Sequence, residues 1–328
     1  MAMNFKEGRW NHEINVTDFV KTNITPYEGD ASFLVGPTER TKAVWNKCLE
    51  ALAEERANNG VRSLDPSTVS TITSFAPGYI DKENEVIVGL QTDEVLRRAI
   101  KPFGGIKVVE KACRENGVEV DPKVKDIFTH YRKTHNDGVF DAYTEEIRSF
   151  RSLGFLTGLP DNYARGRIIG DYRRLALYGL DRLIEAKQND LRHLTGPMTD
   201  ARIRLREEVA EQIKALKEIK IMGEQYGLEL GRPAHNAQEA VQWVYMAYLA
   251  AVKEQDGAAM SLGNVSSFLD IYIEYDMAHG LLDEAHAQEL IDQFVIKLRM
   301  VRHLRMQAYT DIFAGDPTWV TESIGGRF

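Results

Sequence analysis

The segment behind Asn236 constrains this chain more than any other. Val241, Val244, Tyr245, Tyr248, Leu249 and Val252 recur at helical spacing, but they cover too wide an arc for a helix with one wet face. Such a helix has to be enclosed by other elements, which demands a large domain. The chain has 328 residues, enough for one large or two ordinary domains. Asn236 followed by Glu239 predicts the helix start, a capping-box-like pair in which Asn replaces Ser or Thr. The apolar stretch is interrupted by Gln242 and falls far short of the roughly 20 residues that cross a bilayer.

Other helices read clearly. Thr38 is a cap candidate, followed by an apolar stripe of Val44, Trp45, Cys48, Leu49 and Leu52. Residues 202–222 predict a helix on which Leu205, Val209, Ile213, Leu216 and Ile219 align, with Arg204, Glu207, Glu211 and Lys214 on a solvated face. A further helix starts near Asp283 and is expected to run to about Leu304. Residues 85–90, Glu-Val-Ile-Val-Gly-Leu, predict a short strand, and the small residues of 257–263 suit a tight passage out of the buried helix. No repeat, low-complexity tract or linker divides the chain. One helix-rich α/β unit over residues 1–328 is expected.

Charge and cysteine usage exclude several functions. Lys plus Arg total 41 against 49 Asp plus Glu, a net charge of −8, which argues against a nucleic-acid binder. Two cysteines cannot form a disulfide framework, so a reducing compartment is expected. The start carries no apolar signal region, so the reading is a cytoplasmic protein with no membrane partner. The eight histidines show no HExxH or paired spacing, and no metal is expected. The chain has no GxGxxG, GxxxxGK[ST] or GxSxG motif. Cys48 and Cys113 both fall on apolar helix positions and read as inert core thiols.

Two segments could carry chemistry. In residues 157–174, glycines and a proline form a loop in which Arg165, Arg167, Arg173 and Arg174 crowd ahead of an apolar helix. The guanidinium fork suits a carboxylate or phosphate, but pairing with Asp161 and Asp171 would serve the loop equally well. Residues 313–319 form a polar turn between Phe313 and Trp319. These aromatics either wall a small substrate or simply pack.

Together with other stretches, these segments carry a resemblance. TPYEGD at 25–30, VGLQT at 88–92, PFGGIK at 102–107, YRKTHNDGVFDAYT at 131–144 and TGLPDNYARGRIIGDYRRLALYG at 157–179 belong to it. So do NAQEAVQW at 236–243, DGAAMS at 256–261, KLRMVR at 297–302 and GDPTWVTESIGG at 315–326. The chain resembles the N-terminal part of the pyruvate formate-lyase family of glycyl radical enzymes, almost end to end. The resemblance implies an α/β barrel built of two half-barrels of parallel strands surrounded by helices, of which this chain is the first half, and a homodimer. It implies cleavage of pyruvate by glycyl and thiyl radical chemistry, coenzyme A as the acceptor of the acetyl group, and a radical-installing activase as partner.

The implied sites follow residue by residue. The pyruvate-carboxylate arginine falls on Arg167, and the pocket-lining residues fall on Ala258, Ala259, Phe313 and Trp319. Phe140 is a candidate contact for coenzyme A. The chain departs from the family pattern as well. It has no adjacent cysteine pair and no RVxGY-type radical motif, so no catalytic residue is assigned and the 328 residues alone are expected to be inactive. Two other readings stand beside this one: a non-catalytic scaffold that keeps only dimerisation surfaces, or part of a 2-ketobutyrate formate-lyase.

Overall fold

The structure is a computed structural model that describes residues 3–101, 106–131, 143–156, 168–254, 260–312 and 320–324. In chain order its elements are α1 (Val16–Asn23), α2 (Glu39–Ala57), β1 (Ser63–Val69), β2 (Arg97–Ile100), α3 (Ile106–Glu115), α4 (Pro122–Asp126), α5 (Glu145–Ser152) and β3 (Ile168–Ile169). Then follow α6 (Arg173–His193), α7 (Asp200–Gln225), α8 (Ala237–Glu254), β4 (Met260–Ser261), α9 (Ser266–Ala278), α10 (Glu284–Arg299) and α11 (Gln307–Ile312). Every strand pairing among the described residues is parallel: β1 with β2, β3 with β4, and a bridge from Gly263 to Glu322. This is the helix-rich, parallel α/β architecture expected of a half-barrel.

The enclosed helix is α8. Trp243, Val244, Tyr245, Tyr248, Leu249 and Val252 are all at most 2% exposed, and α1, α6, α9 and α10 pack around it in the main core. Asn236 caps it through a bond from the Glu239 amide at 2.8 Å. Glu239 does not complete the expected capping box. Its carboxylate accepts from the His235 amide and pairs with Arg232, because the charged fork outcompetes a backbone amide for a carboxylate. Two smaller cores lie alongside, one where α2 meets Ile296 and Met300, the other joining Ile100, α3 and Leu304.

Helix α6 bends where the sequence puts a glycine. Gly179 has φ +69°, and a Cβ there would lie 2.4 Å from the Gly231 carbonyl oxygen. The backbone groups released by the bend are taken up by the neighbouring segment: the Leu180 and Asp181 amides donate to the Leu230 and Gly231 carbonyls, and the Ala234 amide donates to Ala176.

Several expectations need correction. Residues 85–90 form no strand; the chain bends at Val86 and Ile87, and Gly89 has φ +119°. Their backbone is held by glutamine side chains instead: the Val88 amide donates to Gln242 Oε1 at 2.7 Å while Gln242 Nε2 donates back to the Val88 carbonyl at 2.9 Å. Gln238 and Gln293 serve Val86 in the same way. The actual strand β1 contains Pro66 and four hydroxyl or acid residues, which hid it from a β-propensity reading. Helix α2 starts at the Thr38 cap as expected and buries Val44 and Cys48, but Trp45 and Leu49 are 37% and 47% exposed, because the buried stripe turns instead through Thr41, Ala51 and Glu55. Leu205 on α7 is likewise 43% exposed, since that helix reaches the core only from Val209 onward, at Val209, Ile213 and Met222. Helix α10 begins at the Asp283 cap but stops at Arg299 rather than near Leu304. Residues 301–306 continue as mostly buried chain in neither helix nor strand.

Candidate functional site

The residues assigned from the resemblance, Arg167, Ala258, Ala259, Phe313, Trp319 and Phe140, all lie outside the described residues, as do Arg165 and Asp161. The described chain that borders three of these segments does converge. Ile168, which follows Arg167, is in register with Met260, which follows Ala259, and Ile169 with Ser261. The chain that follows Trp319 joins the same patch: the Leu262 amide donates to Thr321 at 2.9 Å and the Ser323 amide donates to Gly263 at 2.8 Å. Three segments separated by about ninety and about sixty positions therefore form one small parallel ladder.

Charged side chains fix this junction. Arg173 Nε lies 2.7 Å from Asp171 Oδ1, and one of its terminal nitrogens donates to the Asn264 carbonyl at 3.1 Å, tying the exit of β3 to the exit of β4. Arg174 also faces Asp171, at 3.6 Å. For these two arginines the local-pairing alternative holds. Glu322 Oε1 accepts from the Val265 amide at 2.9 Å and from the Ser266 amide at 3.2 Å, so it caps α9 from a distant part of the chain. Burial pushes the Glu322 carboxyl upward, against the two amide bonds and Arg173. Gly170 is required by close approach, because a Cβ there would sit 2.7 Å from the Tyr172 ring. That ring in turn packs edge-on against Tyr248 of α8, at 5.6 Å between centroids. The Tyr248 hydroxyl is buried without a hydrogen-bond partner among the described residues, and burial raises its pKa.

Sequence reasoning missed Glu322 and Asn264, and read Tyr248 only as part of the enclosed helix. The first lay inside the quoted GDPTWVTESIGG stretch, but its contact with Val265 spans 57 positions, and no local pattern signals a cap of that range.

Both thiols are core residues as expected. Cys48 and Cys113 are unpaired and fully buried. Burial pushes them up to about 12 and about 11, which is the reverse of thiol activation. Among the described residues no group of His, Cys, Asp and Glu is arranged to hold a metal ion, and no helix is long and apolar enough to cross a membrane.

Comparison with known proteins then decides the family. The pyruvate formate lyase-like family model matches residues 7–328. The chain belongs to that family. It is 55% identical over 327 residues to the formate acetyltransferase of Haemophilus influenzae, an alignment that covers 98% of this chain and 42% of that relative. The chain thus corresponds to the N-terminal part of a pyruvate formate-lyase and spans less than half the length of that relative. Among solved structures, the B12-independent glycerol dehydratase of Clostridium butyricum superposes with a TM-score of 0.62 at 17% identity, covering 89% of this chain and 43% of that one. A Roseburia inulinivorans protein of 1,2-propanediol dehydration gives 0.58 at 17% identity, covering 88% and 43%. At such identities the likeness carries the fold alone, that of glycyl radical enzyme barrels, of which this chain covers a part.

Proposed function

We propose that this chain is the pyruvate-binding, N-terminal portion of a formate acetyltransferase, the enzyme that converts pyruvate and coenzyme A into acetyl-coenzyme A and formate. The observation that carries the reading is the 55% identity to the Haemophilus relative, sustained over 98% of the chain. In this reading residues 1–328 act as one unit, cytoplasmic and homodimeric once complete, with a radical-installing activase as partner.

The roles of the chain's own residues follow from pyruvate's chemistry. Its carboxylate needs a cation with a planar fork, and Arg167 supplies two charge-assisted hydrogen bonds. Ala258 and Ala259 leave room for the small methyl beside the backbone. Phe313 and Trp319 form a dry wall that keeps water from reactive intermediates, and Phe140 contacts coenzyme A. The glycyl radical supplies hydrogen abstraction when present. No residue described above fits that chemistry, since the only two thiols are buried, far apart and held protonated. The chemical step therefore belongs to residues outside these 328.

The test is kinetic. In an enzyme complete with its cysteine pair and radical loop, Arg167→Lys is expected to raise the pyruvate KM about tenfold or more, the scale of a charge-assisted hydrogen bond. An unchanged KM would overturn the role of Arg167. The 328-residue chain alone, treated anaerobically with activase, is expected to release no formate above the blank.

A further inference from the structure

The start of the chain, the segment after α1, the body of α9 and the start of α10 bound a cavity of about 890 Å³, which shares no residue with the β3–β4 ladder. Its walls are mainly apolar and aromatic. Phe5, Tyr27, Phe33 and Tyr275 line it. They meet edge-on as Phe5–Tyr275 and Tyr27–Phe33, with ring centroids 5.5 Å and 5.2 Å apart. Both tyrosine hydroxyls are engaged by backbone: Tyr275 accepts from the Asn4 amide at 3.1 Å, and Tyr27 donates to the Asp30 carbonyl at 2.9 Å. The rings are thereby held in place, and ring surface rather than hydroxyl is left for a ligand.

Into this apolar setting α9 brings two carboxylates, Asp270 and Glu274, one helical turn apart and both lining the cavity. Like charges at that spacing weaken a helix, and a carboxylate drawn out of water loses hydration that only a partner restores. Among the described residues neither has a hydrogen bond or an ion pair. Burial pushes the Asp270 carboxyl up with no charged group acting against it, and burial together with Asp270 pushes Glu274 up. The other charged groups around the cavity have local explanations. Lys6 is exposed and offsets neither carboxylate. Glu284 sits in the first turn of α10, where the helix dipole favours an acid. His279 is exposed, with Nδ1 2.7 Å from the Tyr275 carbonyl and its ring stacked on that of Tyr275 at 4.1 Å. Asp270 and Glu274, in the middle of their helix, have no such explanation.

We infer that this cavity binds a small organic primary amine, its ammonium held by Asp270 and Glu274 and its apolar body against the Phe5–Tyr275 and Tyr27–Phe33 rings. An ammonium carries three donors, enough for both carboxylates, and aromatic faces attract a cation within about 6 Å. The volume is that of cavities that hold whole small molecules, and among the described residues no group is arranged for a bare metal ion. This inference does not depend on the pyruvate reading.

Isothermal titration of the 328-residue chain at pH 7 tests it, with phenethylamine as the probe, 2-phenylethanol as the uncharged control and 3-phenylpropionate as the anionic one. Saturable binding of phenethylamine with Kd below about 1 mM, weakening as salt is raised, is expected. The alcohol is expected to bind at least about tenfold more weakly, and the anion not at all. Asp270→Asn and Glu274→Gln keep the side-chain shape and remove the like-charge repulsion, so both are expected to fold as the parent does while each weakens the amine about tenfold. Phe33→Ala alters a side chain that is 43% exposed and is expected to weaken the amine about threefold through the lost ring face. Absence of saturable phenethylamine binding, equal binding of the alcohol or the anion, or full affinity in any of the three variants would each overturn the proposal.

Discussion

Two buried ion clusters lie close together in the chain, one at Lys297 of α10 and one at Arg302 just beyond that helix, and the number of cations that meet the carboxylate differs. In the first, Lys297 Nζ lies 2.8 Å from Glu85 Oε2, one cation to one anion, with both side chains at most 1% exposed. The other oxygen of Glu85 accepts from the amides of Ile80 and Asp81, so each oxygen of the carboxylate has a partner of its own. In the second, Glu55 faces two arginines and the cluster opens onto a cavity. A one-to-one buried pair serves packing and register. A carboxylate shared by two arginines is backed by carbonyls, Gly60 for Arg98 and Arg299 and Val301 for Arg302, so the loss of one cation leaves the other in place.

The comparison is sharpest where one cation is removed from each cluster. Lys297→Met strands the Glu85 carboxylate in a dry site with only its two amide bonds, and breaking a buried pair in this way costs about 3–5 kcal/mol. Arg302→Met leaves Glu55 still paired with Arg98. Its cost is expected to be smaller, about 1–3 kcal/mol, the range for lost hydrogen bonds to charged groups. Urea unfolding of both variants measures the difference. An Arg302→Met chain as unstable as Lys297→Met would mean that the second cluster is as tightly balanced as the first.

Proton titration separates lysine from arginine in the same way. Burial lowers the pKa of Lys297 against the pull of Glu85. Lys253, 2% exposed and set over the Phe75 ring, is lowered to about 8, chiefly by burial. An unfolded lysine keeps its proton to near 10.4, so above pH 8 the unfolded chain binds more protons than the folded one and stability rises with pH. The thiols act oppositely: Cys48 and Cys113 ionise near 9.0 when unfolded but only at about 12 and 11 when folded, so they remove stability above pH 9. Between pH 8 and 9 Lys253 is therefore expected to contribute a gain of about 1 kcal/mol, partly offset by the two thiols as pH nears 9, so the gain is read as the difference between the parent chain and Lys253→Met. Arginine, charged throughout this window, adds nothing to it. The same pH dependence of the urea midpoint in the parent chain and in Lys253→Met would sink the assignment of Lys253 as a buried, titrating lysine.

How much of this was legible in the sequence depended on range. Helix starts are local events, and Thr38, Asn236 and Asp283 each cap within three residues. The enclosed nature of α8 was equally plain from its apolar arc. Residues 85–90 misled because β-branched composition reports a half-buried backbone and not what bonds to it; here glutamines 154 and 207 positions away take the place of a neighbouring strand. The ion clusters were invisible for the same reason, since Glu55 and Arg302 are 247 positions apart. At the candidate site, the segments were recognisable only by resemblance. Their meeting in one ladder is a property of the fold.

The smallest expected effect concerns a carboxylate with no bonded cation among the described residues, which extends the comparison to its limit. Glu322 holds the start of α9 through two backbone amides, and Arg173 acts on it only at a distance. Losing such a cap costs about 1 kcal/mol, so Glu322→Ala is expected to lower the unfolding free energy by that amount. Glu322→Gln keeps a side-chain oxygen for the Val265 and Ser266 amides and gives up only the charge. Burial already raises the Glu322 pKa, which means the site favours a neutral group and the charge itself contributes little. The glutamine variant should therefore retain most of the lost stability when the two are compared by urea unfolding at neutral pH. If Gln were as destabilising as Ala, the carboxylate charge would be what holds the 320–323 segment to α9, and the balance of charges would matter at this junction as it does in the two buried clusters.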